Sequence, residues 1–239
     1  MLATCIIHGM KKGYYQGDPL KIAEDCSVLK PDLFPSVPRL YNKIYSKIKG
    51  TFNAATGCKS WLVNKAVRSK LANLAQSGSV QSGCWDAIVF KKTKAILGGN
   101  VRIMVTGSAP MELDVMNFLK ICFCAPIVEA YGLTETTGAT TIVNNRDIAT
   151  GHVGGPIPCC KVRLRDIPDM GYLSTDTPYP RGEVCMKGPN IFAGYYKRED
   201  KTAEAFDAEG WFLSGDVGQI FPNGTIKIID RSKNLFKLS

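Results

Sequence analysis

The chain has 239 residues, of which 45% are hydrophobic and 21% charged, and its formal net charge is +9. This composition is that of an ordinary soluble globular protein, long enough to bury a substantial core. No run of about 18 apolar residues occurs, so no transmembrane segment is predicted. The N-terminus has no basic segment ahead of its apolar residues, so we do not interpret it as a signal peptide.

Nine cysteines are scattered along the chain without a C-x-x-C pair, and only two histidines accompany them. Zinc-site spacing is therefore absent. Most of the thiols are expected to be buried small hydrophobes in a reducing compartment, which predicts a location on the cytosolic side.

The positive charge is unevenly distributed, because residues 33–85 contain no Asp or Glu. The basic residues of this span include Arg39, Lys43, Lys47, Lys49, Lys59, Lys65, Arg68 and Lys70. Such a block fits an anionic surface of lipid or nucleic acid, although a solvated helix face is the commoner explanation. No nucleic-acid-reading motif accompanies the block, so a nucleic-acid partner is not expected.

In the first half of the chain, predicted helices alternate with short buried strands. Helices are predicted at 20–28, from Pro38 with Ser36 as its cap, at 61–74, at 85–97 and at about 112–123, and strands at 33–35, 101–105 and 126–128. In the helix from Pro38, apolar residues such as Ile44 and Ile48 recur at helical spacing and form one stripe. The order strand, Gly turn, helix, strand, Gly turn indicates an α/β layer with parallel strands over residues 1–148.

The pattern of predicted elements changes after about residue 150. Short strand-like pieces bounded by Gly and Pro follow one another, and the last two are joined by an Asn-Gly turn. This pattern is typical of a β-rich subdomain or partial barrel, which we place at residues 149–229.

Two Gly-containing turns, TGSAPM at 106–111 and YGLTETTG at 131–138, follow predicted strands of the α/β layer. Ligands bind beyond the carboxyl ends of such strands, so the two turns are expected to lie side by side. A turn rich in Gly and Thr presents N–H and hydroxyl donors to a phosphate. Glu135 is the lone carboxylate there, and carboxylates ligate the Mg²⁺ that accompanies phosphate. A Thr-rich turn with a solvated Glu is the simpler alternative for these residues alone.

A second candidate site lies near the end of the chain. Asp216 stands in a Gly-flanked turn after an aromatic strand, and Asp230-Arg231 ends the next predicted hairpin. A carboxylate in a Gly turn can accept two vicinal hydroxyls of a ribose, and an adjacent Arg can reach the same sugar. An Asp that merely closes a tight turn is the alternative when this residue is taken singly.

Together these motifs resemble the adenylate-forming superfamily and, within it, the eukaryotic long-chain fatty acyl-CoA synthetases. The resemblance covers essentially the whole chain, through GYYQGDPLKIAEDCSVLKPDLFPSVPRLYNKI, VTGSAPM, YGLTE, GHVGGPIPC, GEVCMKGPNIFAGYY, GWFLSGDVG and IIDRSKNLFKLS. The long-chain subtype depends mainly on FPSVPRLYNKI and NLFKLS. The implied fold is the α/β large domain of adenylate-forming enzymes.

The resemblance implies a role for each matching position. It implies that Tyr131 stacks on adenine, in a nucleotide site that also contains Gly107, Ser108, Glu129, Ala130 and Gly132. By the same resemblance, Thr134 bonds the α-phosphate, Glu135 holds Mg²⁺, and Asp216 binds the ribose hydroxyls with Arg231.

The resemblance further implies that residues 230–239 form a hinge to a C-terminal lid. Lys233 and Lys237 would approach the nucleotide from this hinge, and Lys233 would share catalysis with Thr134 and Glu135. The family's Gly/Ser/Thr-rich phosphate loop and the late lysine of the lid do not occur in these 239 residues, and Leu213 stands where members more often carry His. We therefore expect a central fragment of a synthetase, inactive by itself.

The implied activity has two steps. A fatty carboxylate attacks the α-phosphorus of ATP to give an acyl adenylate and pyrophosphate, and the thiol of coenzyme A then displaces AMP. Because carboxylate and triphosphate repel each other, the site must neutralise charge and position the reactants. The implied partners are ATP, Mg²⁺, coenzyme A and a long-chain fatty acid. A ligase for another carboxylate and a non-catalytic nucleotide- or lipid-binding remnant are the alternatives.

Long-chain fatty acids partition into membranes, so an enzyme that uses them gains by lying on a bilayer. Arg39, Lys43 and Lys47 recur at four-residue spacing and share one helix face. The hypothesis is peripheral contact with an anionic intracellular membrane, such as the endoplasmic reticulum, mitochondrial outer or peroxisomal membrane. The alternative is that these side chains only solubilise the helix.

Overall fold

The computed structural model describes residues 2–145, 147 and 149–231, without the side chains of residues 2–4. The chain divides into two compact units, one of residues 1–104 and 114–127, the other of residues 105–113 and 128–239. The predicted boundary at residue 148 falls inside the second unit, and most of the predicted hinge lies outside the described residues. The predicted three-part division therefore stays a prediction.

The first unit is mainly helical. Its helices are α1 (Leu2–Ile7), α2 (Ile22–Leu29, after a 3₁₀ turn at Pro19–Lys21), α3 (Pro38–Asn53), α4 (Gly57–Ser77), α5 (Gly83–Ile88), α6 (Lys91–Ala95) and most of α7 (Leu113–Phe123). It also contains β1 (Leu33–Ser36) and the first residues of β2 (Ile103–Thr106) and β3 (Ile127–Tyr131). The N–H of Arg102 donates to the Asp32 carbonyl, and that of Met104 to the Pro126 carbonyl. β2 therefore lies between β1 and β3.

The apolar stripe predicted for α3 is confirmed, and it packs into the core of the first unit. Tyr41 and Ile48 are almost completely buried. Tyr45 and Phe52, on the same helix, pack edge to face on Phe118 of α7, with ring centroids 5.1 and 5.9 Å apart. Such aromatic pairs add to the free energy of area burial, so α3 and α7 are held together by ring contacts.

Two helix predictions are wrong in detail. Ser36 does not cap α3: it ends β1, the N-cap position is Val37, and no side chain bonds the first turn. Pro38 begins the helix without a cap because its fixed backbone angle suits that position. The single helix predicted at 85–97 is divided into α5 and α6 around Phe90, which is completely buried. β-branched residues precede Phe90 and weaken the helix there.

The charge pattern predicted that Lys70 belongs to a basic surface, and this prediction is also wrong. The side chain is 1% exposed, and its Nζ pairs with the Asp86 carboxylate. The same Nζ donates to the Ile121 carbonyl at 2.9 Å and lies 3.1 Å from the Sγ of Cys124. A buried cation needs such partners to offset its lost hydration. Lys70 is therefore a core residue of α4 and no part of a basic surface.

Six of the nine cysteines are buried and all nine are free thiols, which confirms the prediction that most of them pack as small hydrophobes. Burial, with a smaller effect of Asp25, raises the pKa of Cys26 to about 11. Burial, with a smaller effect of Glu183, raises the pKa of Cys185 to about 12. These thiols therefore stay protonated at neutral pH.

In its described part, the second unit carries two sets of strands, two 3₁₀ turns (Thr134–Thr136 and Pro168–Met170) and the α-helix α8 (Glu199–Ala205). The end of β3 pairs antiparallel with β4 (Thr141–Ile142), which pairs antiparallel with β5 (Gly155–Pro156). The second set is an antiparallel sheet in the order β6 (Lys161–Arg165), β7 (Arg181–Lys187), β8 (Phe212–Ile220), β9 (Ile226–Arg231). The predicted α/β class with a following β-rich region is confirmed. The layer predicted as parallel is extended by the antiparallel strands β4 and β5.

The core of the second unit lies on the β6–β9 sheet. Val184, Met186 and Phe212 are buried there, and Tyr131 and Leu133 pack against this cluster. The Gly/Thr turn after β3 therefore starts from two side chains that are anchored in the core.

Candidate functional site

The Gly/Thr turn after β3 is held by bonds within itself. Thr136 is 1% exposed, and its hydroxyl accepts the N–H of Leu133 at 2.9 Å and lies 2.8 Å from the Gly138 carbonyl oxygen. Gly132 lies so close to Gly138 that a Cβ would be 1.7 Å from that oxygen. No other residue fits at position 132, because the backbone on both sides is fixed. The turn is thus preformed.

Glu135 and Thr134 lie on the 3₁₀ turn Thr134–Thr136 of this segment, with Thr134 exposed and Glu135 half-buried. Glu135 Oε1 accepts a hydrogen bond from the Tyr195 hydroxyl at 2.8 Å, and Oε2 has no bonding partner among the described residues. Burial and then Glu135 raise the pKa of Tyr195, so the phenol is the donor. A carboxylate with one oxygen fixed and the other open suits a hard divalent cation.

Tyr131 and Asp216, which the resemblance assigns to different parts of a nucleotide, are in direct contact. The Tyr131 hydroxyl donates to Asp216 Oδ2 at 2.8 Å, and Arg231 Nε donates to Oδ1 at 2.8 Å. Burial and the Asp216 carboxylate raise the pKa of Tyr131, so the phenol stays protonated. The same carboxylate raises the pKa of Arg231. Asp216 therefore lies between a neutral donor and a cation.

The Asp216 carboxylate keeps acceptor capacity for a ligand. The side chain of Asp216 is 4% exposed and that of Arg231 59% exposed, so the pair reaches from the core to the surface. Each carboxylate oxygen offers two lone-pair sites, and each has accepted one bond from these two partners. Two vicinal hydroxyls could occupy the remaining sites.

The prediction that Asp216 stands in a turn after a strand is wrong: Asp216 lies within β8, where the register with β7 shifts and Gly215 has φ of 73°. Glu183 of β7 fixes this segment of β8. The N–H of Gly215 donates to Glu183 Oε1 at 2.8 Å, and Arg165 of β6 pairs with the other carboxylate oxygen. The N–H of Asp216 itself donates to Ser214 Oγ at 3.0 Å. Glu183 is 4% exposed, so a buried carboxylate fixes the backbone of this segment of β8.

The TGSAPM turn lies against the end of β3. A Cβ on Gly107 would be 2.9 Å from the Ala130 carbonyl oxygen, and Glu129 Oε1 accepts the N–H of Met111 at 3.4 Å. Ser108 is exposed and has a left-handed backbone with φ of 72°. The structure therefore brings the predicted nucleotide-site residues of these two segments together. Their adenine-binding role stays a prediction.

The two predicted hinge lysines, Lys233 and Lys237, lie outside the described residues. Arg231 is the last described residue, and it faces Asp216 in the β8–β9 register. The catalytic role predicted for Lys233 and the nucleotide role predicted for Lys237 stay predictions.

Sequence reasoning missed three side chains that position the site: Glu183, Asn190 and Tyr195. Asn190 Nδ2 donates to the Thr136 carbonyl at 3.4 Å, and Tyr195 bonds Glu135. All three lie within GEVCMKGPNIFAGYY, which contributed to the resemblance. Their contacts join residues 32 to 60 positions apart, and no local spacing reports such contacts.

Comparison with known proteins defines the class to which this fold and site belong. The family model of the AMP-binding enzymes matches residues 1–196, and the chain belongs to this family. It is 47% identical, over 98% of its length, to "Long chain acyl-CoA synthetase 6, peroxisomal" of Arabidopsis thaliana. It is 43% identical, over its whole length, to human "Long-chain-fatty-acid--CoA ligase 1". The chain spans about a third of these relatives, 33% and 34% of their lengths.

A solved structure supports the same class. The A domain of carboxylic acid reductase from Segniliparus rugosus, in complex with AMP and a co-purified carboxylic acid, matches 92% of this chain. The TM-score is 0.65 at 30% identity, and the match covers 30% of that protein. The α/β class and the adenylate-forming fold predicted from the sequence are therefore confirmed.

Proposed function

We propose that the chain is the nucleotide-binding and acyl-activating part of a long-chain fatty acid–CoA ligase. The proposed reaction joins a fatty carboxylate to the α-phosphorus of ATP, releases pyrophosphate, and then transfers the acyl group to the thiol of coenzyme A with release of AMP. Membership of the AMP-binding enzymes and the names of the relatives support this substrate class.

The observation that carries the proposal is the contact of Tyr131 and Arg231 with the buried Asp216 carboxylate. In the proposal, Asp216 accepts the two ribose hydroxyls, and Arg231 pairs with its carboxylate. The hydrogen bond to Asp216 fixes the ring of Tyr131, which stacks on the base. Aromatic stacking and charge-assisted hydrogen bonds bind a nucleotide without taking part in bond breaking.

The Gly/Thr turn supplies the proposed phosphate site. Thr134 offers an exposed hydroxyl to the α-phosphate, and Glu135 offers its open Oε2 to a divalent cation. Bound there, Mg²⁺ would neutralise phosphate charge as the carboxylate approaches. Lys233 is proposed to add a further cation from the hinge segment. The residues of the turn therefore fit Mg·ATP by their chemistry.

The proposal is tested by pyrophosphate exchange in the protein that carries this chain. Labelled pyrophosphate is incubated with ATP, Mg²⁺ and one acid at a time: palmitate, acetate or benzoate. We expect label to enter ATP with palmitate, and much less with either other acid. Equal or greater exchange with acetate or benzoate would show a ligase for other carboxylates. AMP binding without any exchange would show a non-catalytic nucleotide-binding protein.

We propose in addition that α3 provides a reversible contact with an anionic intracellular membrane. No helix among the described residues is long and apolar enough to cross a bilayer. Arg39, Lys43 and Lys47 are exposed on one face of α3, opposite its buried stripe, and none of them pairs with a carboxylate in the described part of the chain. Each basic residue near an anionic leaflet contributes about 1 kcal/mol to binding.

Sedimentation with liposomes tests the membrane proposal. The wild type is expected to bind anionic but not neutral vesicles, and to be released at high salt. Lys43→Glu with Lys47→Glu should abolish most of the binding. Lys91→Glu with Lys92→Glu makes the same change of charge at two exposed lysines of α6 and should bind like the wild type. Equal loss of vesicle binding in both double variants would show that binding depends only on net charge. That result would contradict a contact through α3.

A further inference from the structure

The loop after β7 is tied to the Gly/Thr turn at four points. The bonds run from Phe192 N–H to the Glu135 carbonyl (2.8 Å), from Thr137 hydroxyl to the Asn190 carbonyl, from Asn190 Nδ2 to the Thr136 carbonyl (3.4 Å), and from Tyr195 hydroxyl to Glu135 Oε1 (2.8 Å). Three of these bonds reach the backbone of one partner or both. Only the bond from Tyr195 ends on the side chain that the proposed function assigns to the metal.

Contacts other than the bond to Glu135 restrain Tyr195. Its ring packs on Phe192 at 4.8 Å between centroids, and the Phe192 ring in turn contacts the buried Phe212. Its N–H donates to Thr202 Oγ1 of α8 at 2.9 Å. Gly194 permits this approach, because a Cβ there would be 2.6 Å from Thr202 Cγ2. Tyr195 is 39% exposed, and these contacts restrain its backbone and one side of its ring independently of Glu135.

We propose that Tyr195 is a positioning residue that orients the Glu135 carboxylate toward a divalent cation. The inference rests on the proposed function, in which Glu135 is the metal ligand. The phenol occupies Oε1 and leaves Oε2 open, so one rotamer of Glu135 is selected before the cation arrives. Hydrogen bonds to ligating carboxylates commonly change metal affinity by about 10- to 100-fold.

The other three bonds separate this role from a purely structural one. The bonds from Phe192 and Thr137 and the one from Asn190 hold the backbone of the turn without the Tyr195 hydroxyl. Removing that hydroxyl alone should therefore leave the turn and the nucleotide site intact. The metal affinity should change, and metal-free AMP binding should not.

The test is Tyr195→Phe, with Mn²⁺ as the probe of the cation site. Free Mn²⁺ is followed by electron paramagnetic resonance while it is titrated into protein with a non-hydrolysable ATP analogue. We expect affinity for Mn²⁺ to fall by about 10-fold or more, with AMP affinity in the absence of metal unchanged. Tyr196→Phe is the matched control, since Tyr196 is 87% exposed and has no bond to Glu135. It should bind Mn²⁺ like the wild type.

Glu135→Gln separates failure of the inference from failure of the proposed function. Unchanged Mn²⁺ affinity in Glu135→Gln would show that Glu135 is not a metal ligand. The metal role of Glu135 in the proposed function would then be wrong. A strong loss in Glu135→Gln with none in Tyr195→Phe would overturn the positioning role alone. An equal loss of metal-free AMP affinity in Tyr195→Phe would also overturn it, because the hydroxyl would then hold the whole turn. If the role is correct, adding Tyr195→Phe to Glu135→Gln causes no further loss.

Discussion

The hydroxyl of Tyr131 donates a 2.8 Å hydrogen bond to the carboxylate of Asp216, which lies 85 residues further along the chain. This bond joins the strand end that precedes the Gly/Thr turn to the interior of β8. Arg231 completes the arrangement from β9. The proposed base-binding and ribose-binding groups are thus one hydrogen-bonded unit, and a change in one is expected to affect the other.

Two substitutions at Tyr131 separate its ring from its hydroxyl. Tyr131→Phe keeps the stacking surface and loses the bond to Asp216, so we expect AMP affinity to fall only slightly. Its free energy of unfolding should fall by about 1.5–3 kcal/mol, because the lost hydrogen bond ends on a carboxylate. Tyr131→Ala also removes the ring and should weaken AMP binding by about 1–3 kcal/mol. Calorimetric titration with AMP checks both variants, and equal affinity of Tyr131→Ala and wild type would exclude base stacking.

Glu183 is expected to stabilise the segment of β8 that carries Asp216. Glu183→Ala removes the acceptor of the buried Gly215 N–H and the partner of Arg165, whose side chain is 48% exposed. The free energy of unfolding should fall by about 2–3 kcal/mol, and AMP affinity should fall with it. Glu209→Ala is the control, because Glu209 forms an exposed pair with Arg163. Such pairs contribute about 0–1 kcal/mol. Urea unfolding measures the free energy of unfolding of both variants. Similar small losses of stability in Glu183→Ala and Glu209→Ala would contradict the role of Glu183.

Lys70 is expected to be essential for the stability of the first unit. Lys70→Met removes the partner of Asp86 and should lower the free energy of unfolding by about 3 kcal/mol. Asp86→Asn added to it should restore part of the loss, since no unpaired charge then remains. Lys59→Met, on the exposed face of the same helix, should have little effect. Urea unfolding at neutral pH measures all three, and an unaltered Lys70→Met variant would contradict the buried pair.

The same pair gives stability a defined pH dependence. Although burial favours the neutral acid, the bonds from Lys70 and from the Ser82 N–H hold the pKa of Asp86 below its ordinary value of 3.8. The stabilisation is therefore fully present above 3.8 and is lost as the pH falls through the lower pKa of the folded state. Acid titration of unfolding should show this loss in the wild type. In Lys70→Met the loss should be absent or reversed.

The sequence predicts those features that local spacing encodes. The stripe of Ile44 and Ile48 recurs at helical spacing and is buried, and Glu135 lies on a turn that follows a strand. The confirmed family follows from several such motifs in one order. These features depend on residues that are neighbours in the chain, so they are readable without a structure.

The features that the sequence did not predict depend on distant partners. No residue close to Lys70 in the sequence indicates that Asp86 and the Ile121 carbonyl are its partners. From the sequence alone, Lys70 is therefore predicted to be a surface residue. The bond from Tyr195 to Glu135 joins residues 60 positions apart, and an ordinary Gly-Tyr-Tyr sequence does not signal it. The break between α5 and α6 arises because Phe90 enters the core, which helical periodicity alone does not show.

Equilibrium binding of AMP to the 239-residue chain tests the central claim most directly. The claim is that Asp216, held by Tyr131 and Arg231, forms a ribose site. Calorimetric titration should show one AMP site in the wild type, weakened in Asp216→Asn by about 1.5–3 kcal/mol, the usual contribution of a hydrogen bond to a charged group. Asp169→Asn removes the same charge at an exposed position and should bind AMP like the wild type. AMP binding of equal strength in all three proteins would contradict the claim.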